Sequence, residues 1–252
     1  MGQLDQKVAI VTGASRGIGA STARLAGQRG YAVAVNFSSG EAEAKKVAHE
    51  ITEGGGRARA IRGDISREQQ ILELFRIAER ELGPIKYLVN NAGITGGFAR
   101  VEEVTAAAIE TTFAVNVTGA ILCAREAVRR MSTRRGGSGG SIVNISSIAT
   151  RTGAAGEWVH YAAAKGAINT FTIGLAREVA TEGIRVNAVS PGLTDTELHA
   201  DNGEPGRLQR LMPTIPMGRA GQPDEIAEAV LWLLSPAASY VTGSILEIGG
   251  GR

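Results

Sequence analysis

Short apolar runs that suit a single strand alternate with longer stretches of helical period from one end of this 252-residue chain to the other. Few backbone arrangements satisfy that rhythm. Val8-Ala9-Ile10-Val11 contains no polar residue, as expected of a strand covered on both faces. A glycine turn follows, then an amphipathic pattern through Arg29. The strand signal returns at Ala32-Val33-Ala34-Val35, at Ala58 to Ile61, at Tyr87-Leu88-Val89, at Ile142 to Ile145, at Arg185 to Val189 and at Ile245 to Ile248. Between these runs, residues 41–53, 67–82, 103–132, 158–181 and 223–234 read as helices. Residues 223–234 open on a Pro-Asp-Glu turn.

Alternation of this kind predicts an α/β chain: a Rossmann-type, doubly wound parallel sheet of about seven strands with helices on both faces and right-handed crossovers. Neither linker nor internal repeat interrupts it, so 1–252 is expected to be one domain. Ligand should lie beyond the carboxyl ends of the strands, so polar residues that directly follow strands are the candidates for function. Gly136 to Gly140 falls at the opposite end. Residues 193–217, rich in Pro, Gly and Thr, are expected to form a mobile segment that covers the substrate.

Composition excludes several classes. A net charge of +2 gives no basis for a nucleic-acid or membrane surface. The one cysteine, Cys123, sits in an apolar helical run, reads as a small buried hydrophobe, and allows neither an intrachain disulfide nor a cysteine metal cluster. No metal is expected. Residues 1–7 lack a cationic-plus-apolar leader pattern, and no uncharged apolar run approaches the ~20 residues of a membrane span. The expectation is a soluble cytoplasmic protein.

Between the first strand and the first helix lies Thr12-Gly13-Ala14-Ser15-Arg16-Gly17-Ile18-Gly19. Three glycines at this spacing let the backbone turn sharply, approach a pyrophosphate and seat the helix on the sheet, while the helix N-terminus offers free amides. A turn alone would be an ordinary connection; following the first strand of a doubly wound pattern, it points to dinucleotide binding. Asn36 lies nineteen residues past Gly17, where an acidic residue would bind the ribose 2′-hydroxyl of NAD. Asn36 carries no charge to repel a 2′-phosphate. Arg16 can pair with that group and Ser38 or Ser39 can add hydrogen bonds, so NADP(H) is preferred over NAD(H). A basic residue in place of Phe37 would have strengthened the case. Asp64 and Ile65 follow the third strand, where Asp64 can accept from the adenine amino group. Asn91, Ala92 and Gly93 follow the fourth.

Tyr161 and Lys165 are four residues apart on a predicted helix and share a face. A free tyrosine has a pKa near 10 and is a poor base at neutral pH. A lysine cation ~6 Å away, at an effective dielectric of ~20, is worth roughly 2.8 kcal/mol, or about two pKa units. That would bring Tyr161 toward the range of a general acid/base. Ser147 follows the fifth strand and can bind the oxygen that Tyr161 protonates, or it can cap a turn. Asn116, in an apolar helical stretch, can hold a water joined to Lys165 or bond a backbone carbonyl.

These elements together resemble the short-chain dehydrogenase/reductase family over essentially the whole chain. The matching motifs are the glycine loop 12–19, Asp64, Asn90-Asn91-Ala92-Gly93, Asn116, Ser147, Tyr161-x-x-x-Lys165 and Pro191-Gly192, in the family's order. The resemblance implies that Tyr161 is the proton donor/acceptor and that Ser147 orients the substrate. It implies that Lys165 binds the nicotinamide ribose and lowers the tyrosine pKa, that Asn116 holds a proton-relay water, and that Pro191, Gly192 and Thr196 contact the nicotinamide end. Two positions depart from the pattern. The Ser147-to-Tyr161 interval is one residue longer than in many members, with Ser146 adjacent, and Thr194 stands where an aliphatic residue is common near the carboxamide.

The implied activity is NADP(H)-dependent interconversion of a small-molecule carbonyl and its alcohol. Within the family the sequence is similar to sugar or polyol dehydrogenases, for which Glu157, His160 and His199 are candidate polar contacts, and to 3-oxoacyl-carrier-protein reductases. Glu182, after the catalytic helix, argues against docking of an acidic carrier. A catalytically silent dinucleotide-binding module would be expected to lack Ser147, Tyr161 or Lys165, and all three are present. A homotetramer is expected. Ala162, Ala163, Ala164, Ala167, Ile168, Phe171, Ile173 and Leu175 spread beyond one helical stripe, and an edge strand near the end of the chain needs cover.

Overall fold

The computed structural model describes residues 8–197 and 206–252. Seven parallel strands form one sheet in the order β3-β2-β1-β4-β5-β6-β7. They are β1 (Val8–Val11), β2 (Ala32–Phe37), β3 (Arg57–Arg62), β4 (Ile85–Asn90), β5 (Gly140–Ile145), β6 (Ile184–Pro191) and β7 (Ile245–Ile248). The long helices are α1 (Gly17–Gln28), α2 (Glu41–Glu53), α3 (Glu68–Leu82), α4 (Ala106–Phe113), α5 (Ala120–Met131), α7 (Val159–Val179) and α9 (Pro223–Leu234). Two short ones, α6 (Ala149–Thr152) and α8 (Arg207–Leu211), lie beside the site.

The two faces of β1 show why the apolar runs are unbroken. Ala9 and Val11 pack into a layer with α1, α2 and α9, while Val8 and Ile10 pack into a second layer with α3, α5 and α7. The helices supply matching stripes: Ile71, Leu74, Phe75, Ala78 and Leu82 of α3 are buried. Each large apolar side chain withdrawn in this way contributes ~1.5–3 kcal/mol. Edge strand β3 is more open, with Arg57, Arg59 and Arg62 exposed, and charges there guard an open edge against further pairing. A capping box between Gln222 and Glu225, with Pro223 in the first turn, starts α9 where the Pro-Asp-Glu sequence placed it.

The chain order reverses between β1 and β4, so the crevice beyond their carboxyl ends is where a ligand is expected. Three local readings are refined. The helical stretch at 103–132 is α4 and α5 joined by a π-helical turn, Ala114–Gly119, that carries Asn116. By length and composition the continuous helix Ala106–Met131 could span a membrane; here its second half buries Cys123, Ala124 and Ala127 against the sheet. Segment 193–217 holds α8 and a 3-10 turn at Met212–Thr214, which its proline and glycine content had hidden. Gly139 and Gly140 pass close to Gly183 and Lys86 at the amino end of the sheet, away from the crevice.

Candidate active site

The crevice contains a cavity of about 620 Å3, within the range of cofactor and substrate sites. Every catalytic and cofactor-binding residue expected from the sequence lines it except Asn116, which stands just behind at Gly93. The glycine loop is held by the residues that follow β4. Thr12 Oγ1 accepts from the Asn91 and Ala92 amides at 3.0 Å each, and Asn91 Nδ2 donates to the carbonyls of Thr12 at 2.8 Å and Gly13 at 3.0 Å. Gly19 admits no side chain, because a Cβ there would stand 2.4 Å from both Asn91 Nδ2 and the Gly13 carbonyl. The first turn of α1 has no side-chain cap, so its amides face a ligand's phosphates. This cradle fits a dinucleotide.

Asn36 is 1% exposed and its amide is committed: Nδ2 donates to Gly63 O at 2.9 Å, and Oδ1 accepts from Gly13 N at 3.4 Å. It therefore stitches β2 to the loop, and the ribose edge is left to Arg16, Ser38 and Ser39 at the rim. The Glu43 carboxylate flanks Gly40 opposite Ser15, and Glu197 lines the cavity near Gly17. Asp64 Oδ1 accepts from Ser66 N at 2.9 Å and Ser66 Oγ at 2.7 Å. Burial raises its pKa, but these bonds and Arg67 outweigh that and hold the carboxyl below the usual range.

At the other end of the cleft, Tyr161 and Ser147 share the cavity wall, where the serine hydroxyl acts to lower the Tyr161 pKa. Ser147 Oγ also accepts from Ala149 N at 3.1 Å, while Ser146 is buried with its hydroxyl toward the Lys165 carbonyl at 3.5 Å. Lys165 Nζ lies 5.7 Å from the Tyr161 ring centroid and donates to Ile145 O at 2.7 Å. Asn116 Oδ1 accepts from Ile94 N at 2.9 Å, and its Nδ2 donates to Ile94 O at 2.8 Å. Gly93 sits between the two: its missing Cβ would lie 3.2 Å from Asn116 Oδ1 and 3.3 Å from Lys165 Nζ.

The electrostatics differ from the sequence expectation. Burial raises the Tyr161 pKa, and the Ser147 hydrogen bond and Arg207 only partly oppose it. Lys165 is deeply buried and is itself pushed down to about 8, and beside it burial still holds the Tyr161 phenol above its usual value. One candidate substrate contact and one argument about specificity also fail. His160 is buried against α4 beside Gly96 and Thr112, away from the cavity. Glu182 accepts from Ser132 and pairs with Arg134 at 3.3 Å, remote from the cleft, and so says nothing about carrier docking. Glu157 does line the cavity, and His199 lies outside the described residues. Trp158, Arg207, Arg210 and Arg252 line the substrate end without having been singled out from the sequence. Only Arg252, a charge after three glycines, left a signal there.

A family model described as enoyl-(acyl carrier protein) reductase matches residues 13–252. The solved structure of a short-chain type dehydrogenase/reductase from Mycobacterium marinum superposes with a TM-score of 0.91 at 35% identity, covering 97% of this chain and 94% of that one. The chain belongs to the short-chain dehydrogenase/reductase family. It is an oxidoreductase of the class acting on CH–OH groups with NAD(P). It is 52% identical to the uncharacterized oxidoreductase YgfF of Escherichia coli K12, over 97% of this chain and 99% of that one. It is 40% identical to the cis-4-hydroxycyclohexanecarboxylate dehydrogenase of Sinomonas cyclohexanicum, over 98% of this chain and 96% of that one.

Proposed function

We propose that this short-chain dehydrogenase/reductase interconverts a small-molecule ketone and its secondary alcohol with NADP(H), using Tyr161 as the acid/base. The observation that carries the reading is that Tyr161 and Ser147 line one cavity wall, with buried Lys165 Nζ 5.7 Å from the Tyr161 ring centroid. A dinucleotide held by the glycine loop would supply or take up the hydride. Ser147 holds the substrate oxygen, and Tyr161 Oη gives it a proton in reduction and takes one in oxidation. Lys165 Nζ and Asn116 Oδ1 both face the gap at Gly93, where a water could pass the proton on and where the lysine ammonium steadies a tyrosinate. The ring hydroxyl named in the Sinomonas relative supports a secondary alcohol as the reacting group. Sugars and carrier-bound 3-oxoacyl chains are the alternatives.

Preference for NADP(H) rests on Arg16, Ser38 and Ser39 at the rim and on the buried, uncharged Asn36. Segment 193–217 is proposed to cover the substrate. Assembly as a homotetramer is supported by Ile109 and Ile121, each 37% exposed along α4 and α5, and by exposed Trp232 on α9 and Tyr240 ahead of edge strand β7. The acid/base role is tested with Tyr161→Phe: turnover should fall ~10²–10⁴-fold while NADPH binding persists. Near-wild-type turnover in that variant would remove Tyr161 from the mechanism.

A further inference from the structure

At the substrate end of the cavity, Arg207, Arg210 and Arg252 gather around Glu157. Arg207 donates to Glu157 Oε2 through its Nε at 3.1 Å and a terminal nitrogen at 2.8 Å, and Arg210 donates to Oε1 at 2.7 Å. Both oxygens of the carboxylate are thus engaged. Arg207 also lies over the Trp158 ring, 4.2 Å from its centroid, and Trp158 meets the Tyr161 ring edge to face at 6.2 Å. One continuous wall therefore runs from the reacting hydroxyl to the guanidiniums.

Arg252 is placed there deliberately by its backbone. Gly250 and Gly251 both adopt positive φ, at 61° and 91°, and press on Ile215 and Pro216, so the chain turns back over the cleft after β7. The Arg252 carbonyl accepts from Arg151 of α6. The Arg252 guanidinium makes no hydrogen bond or ion pair among the described residues, yet it lines the cavity. Burial and the neighbouring Arg207 lower its pKa, with Glu157 opposing and Arg210 adding to the effect. A partly buried guanidinium repelled by two others has one favourable complement, an anion with two in-plane oxygens.

We propose that Arg252 selects substrates bearing a carboxylate, with the reacting carbon at Tyr161, an apolar body against Trp158 and Leu211, and the carboxylate on Arg252. This assignment builds on the Tyr161 reading but can fail separately from it.

The test compares 4-oxocyclohexanecarboxylate with its methyl ester, following NADPH oxidation. Wild-type protein should favour the acid at least tenfold in kcat/KM, through KM. Arg252→Ala should cut that acid-to-ester ratio about tenfold, and Arg252→Lys should keep part of it, which also guards against a misfolded alanine variant. A ratio near one in the wild type, or a variant that lowers both substrates alike, overturns the proposal. A second arm does not depend on turnover. Cyclohexanecarboxylate titrated into NADP-loaded protein by calorimetry should bind at least tenfold more tightly than cyclohexanecarboxamide, and Arg252→Ala should abolish the difference. If no ketone turns over but this discrimination persists, the Tyr161 reading fails and the Arg252 assignment stands; equal binding of acid and amide sinks Arg252 alone.

Discussion

Lys165→Met offers a measurement of what the site costs the fold. The wild-type side chain is 4% exposed, and burial lowers its pKa from 10.5 to about 8. Below about pH 8 the lysine is charged in both folded and unfolded chains, and the folded state carries the full desolvation cost. Between about 8 and 10.5 the folded lysine gives up its proton while the unfolded one keeps it, so unfolding free energy rises with pH. Above 10.5 the contribution is gone. At ~1.36 kcal/mol per pH unit the interval corresponds to about 3 kcal/mol. The hydrogen bond to Ile145 O, at 2.7 Å, offsets ~1.5–3 kcal/mol of that. The stability of the variant at neutral pH is therefore a balance of opposed effects, but the pH dependence is not. Urea denaturation of cofactor-free protein at pH 7 and pH 10.5 should show the wild type gaining about 3 kcal/mol relative to Lys165→Met. Tyr31 and Cys123, both pushed up to about 12 by burial, titrate alike in the two proteins and cancel in the difference. A wild-type-minus-variant difference that stays constant across this range would refute the burial argument.

Arg16→Ala should weaken NADPH by roughly tenfold or more, since a charge-assisted contact is worth ~1.5–3 kcal/mol, and leave NADH nearly as it was; equal dissociation constants for the two dinucleotides in the wild type would end the NADP(H) assignment. Gly19→Ala drives a methyl to within 2.4 Å of Asn91 Nδ2 and Gly13 O, so calorimetry should find dinucleotide binding lost together with ~1–3 kcal/mol of stability. With Tyr161 raised by burial, alcohol oxidation, which needs the tyrosinate, should accelerate as pH rises, while ketone reduction, which needs the phenol, should slow at high pH; profiles of the same sign in both directions would contradict the role. Light scattering at micromolar concentration should give a mass near four times 26.2 kDa, and a mass of one or two chains would remove the tetramer.

The fold was legible because burial on both faces leaves strands such as Val8–Val11 with no polar residue to blur them, and the charged edge strand β3 was legible from its core. The nucleotide cradle was legible because the glycines must be where a side chain cannot fit. The substrate end was not. Arg207 and Trp158 are forty-nine residues apart in sequence and meet only through the folded loops, so no local period announces them. His160 and Glu182 misled for the complementary reason: adjacency to Tyr161 or to the end of α7 in sequence fixes no direction in space. The pKa of Tyr161 could not be read from its spacing to Lys165 either. A pairwise Coulomb estimate supplies the cation but omits the desolvation that both groups undergo.

The π-helical turn at Ala114–Gly119 separates two things that a helix normally binds together. In a regular helix, losing one residue swings everything beyond it by ~100° and takes the packed face off its partner. This turn already holds a residue more than an α-helix would use, and such insertions are frequently found at functional sites. Deleting one residue within it would let α4 and α5 join as unbroken α-helix with Cys123, Ala124 and Ala127 still on the sheet, while Asn116 would lose its grip on Ile94. A change of a single codon in length would thus leave the architecture standing and dismantle the proposed proton path, giving a lineage of such proteins a short route from enzyme to plain dinucleotide binder.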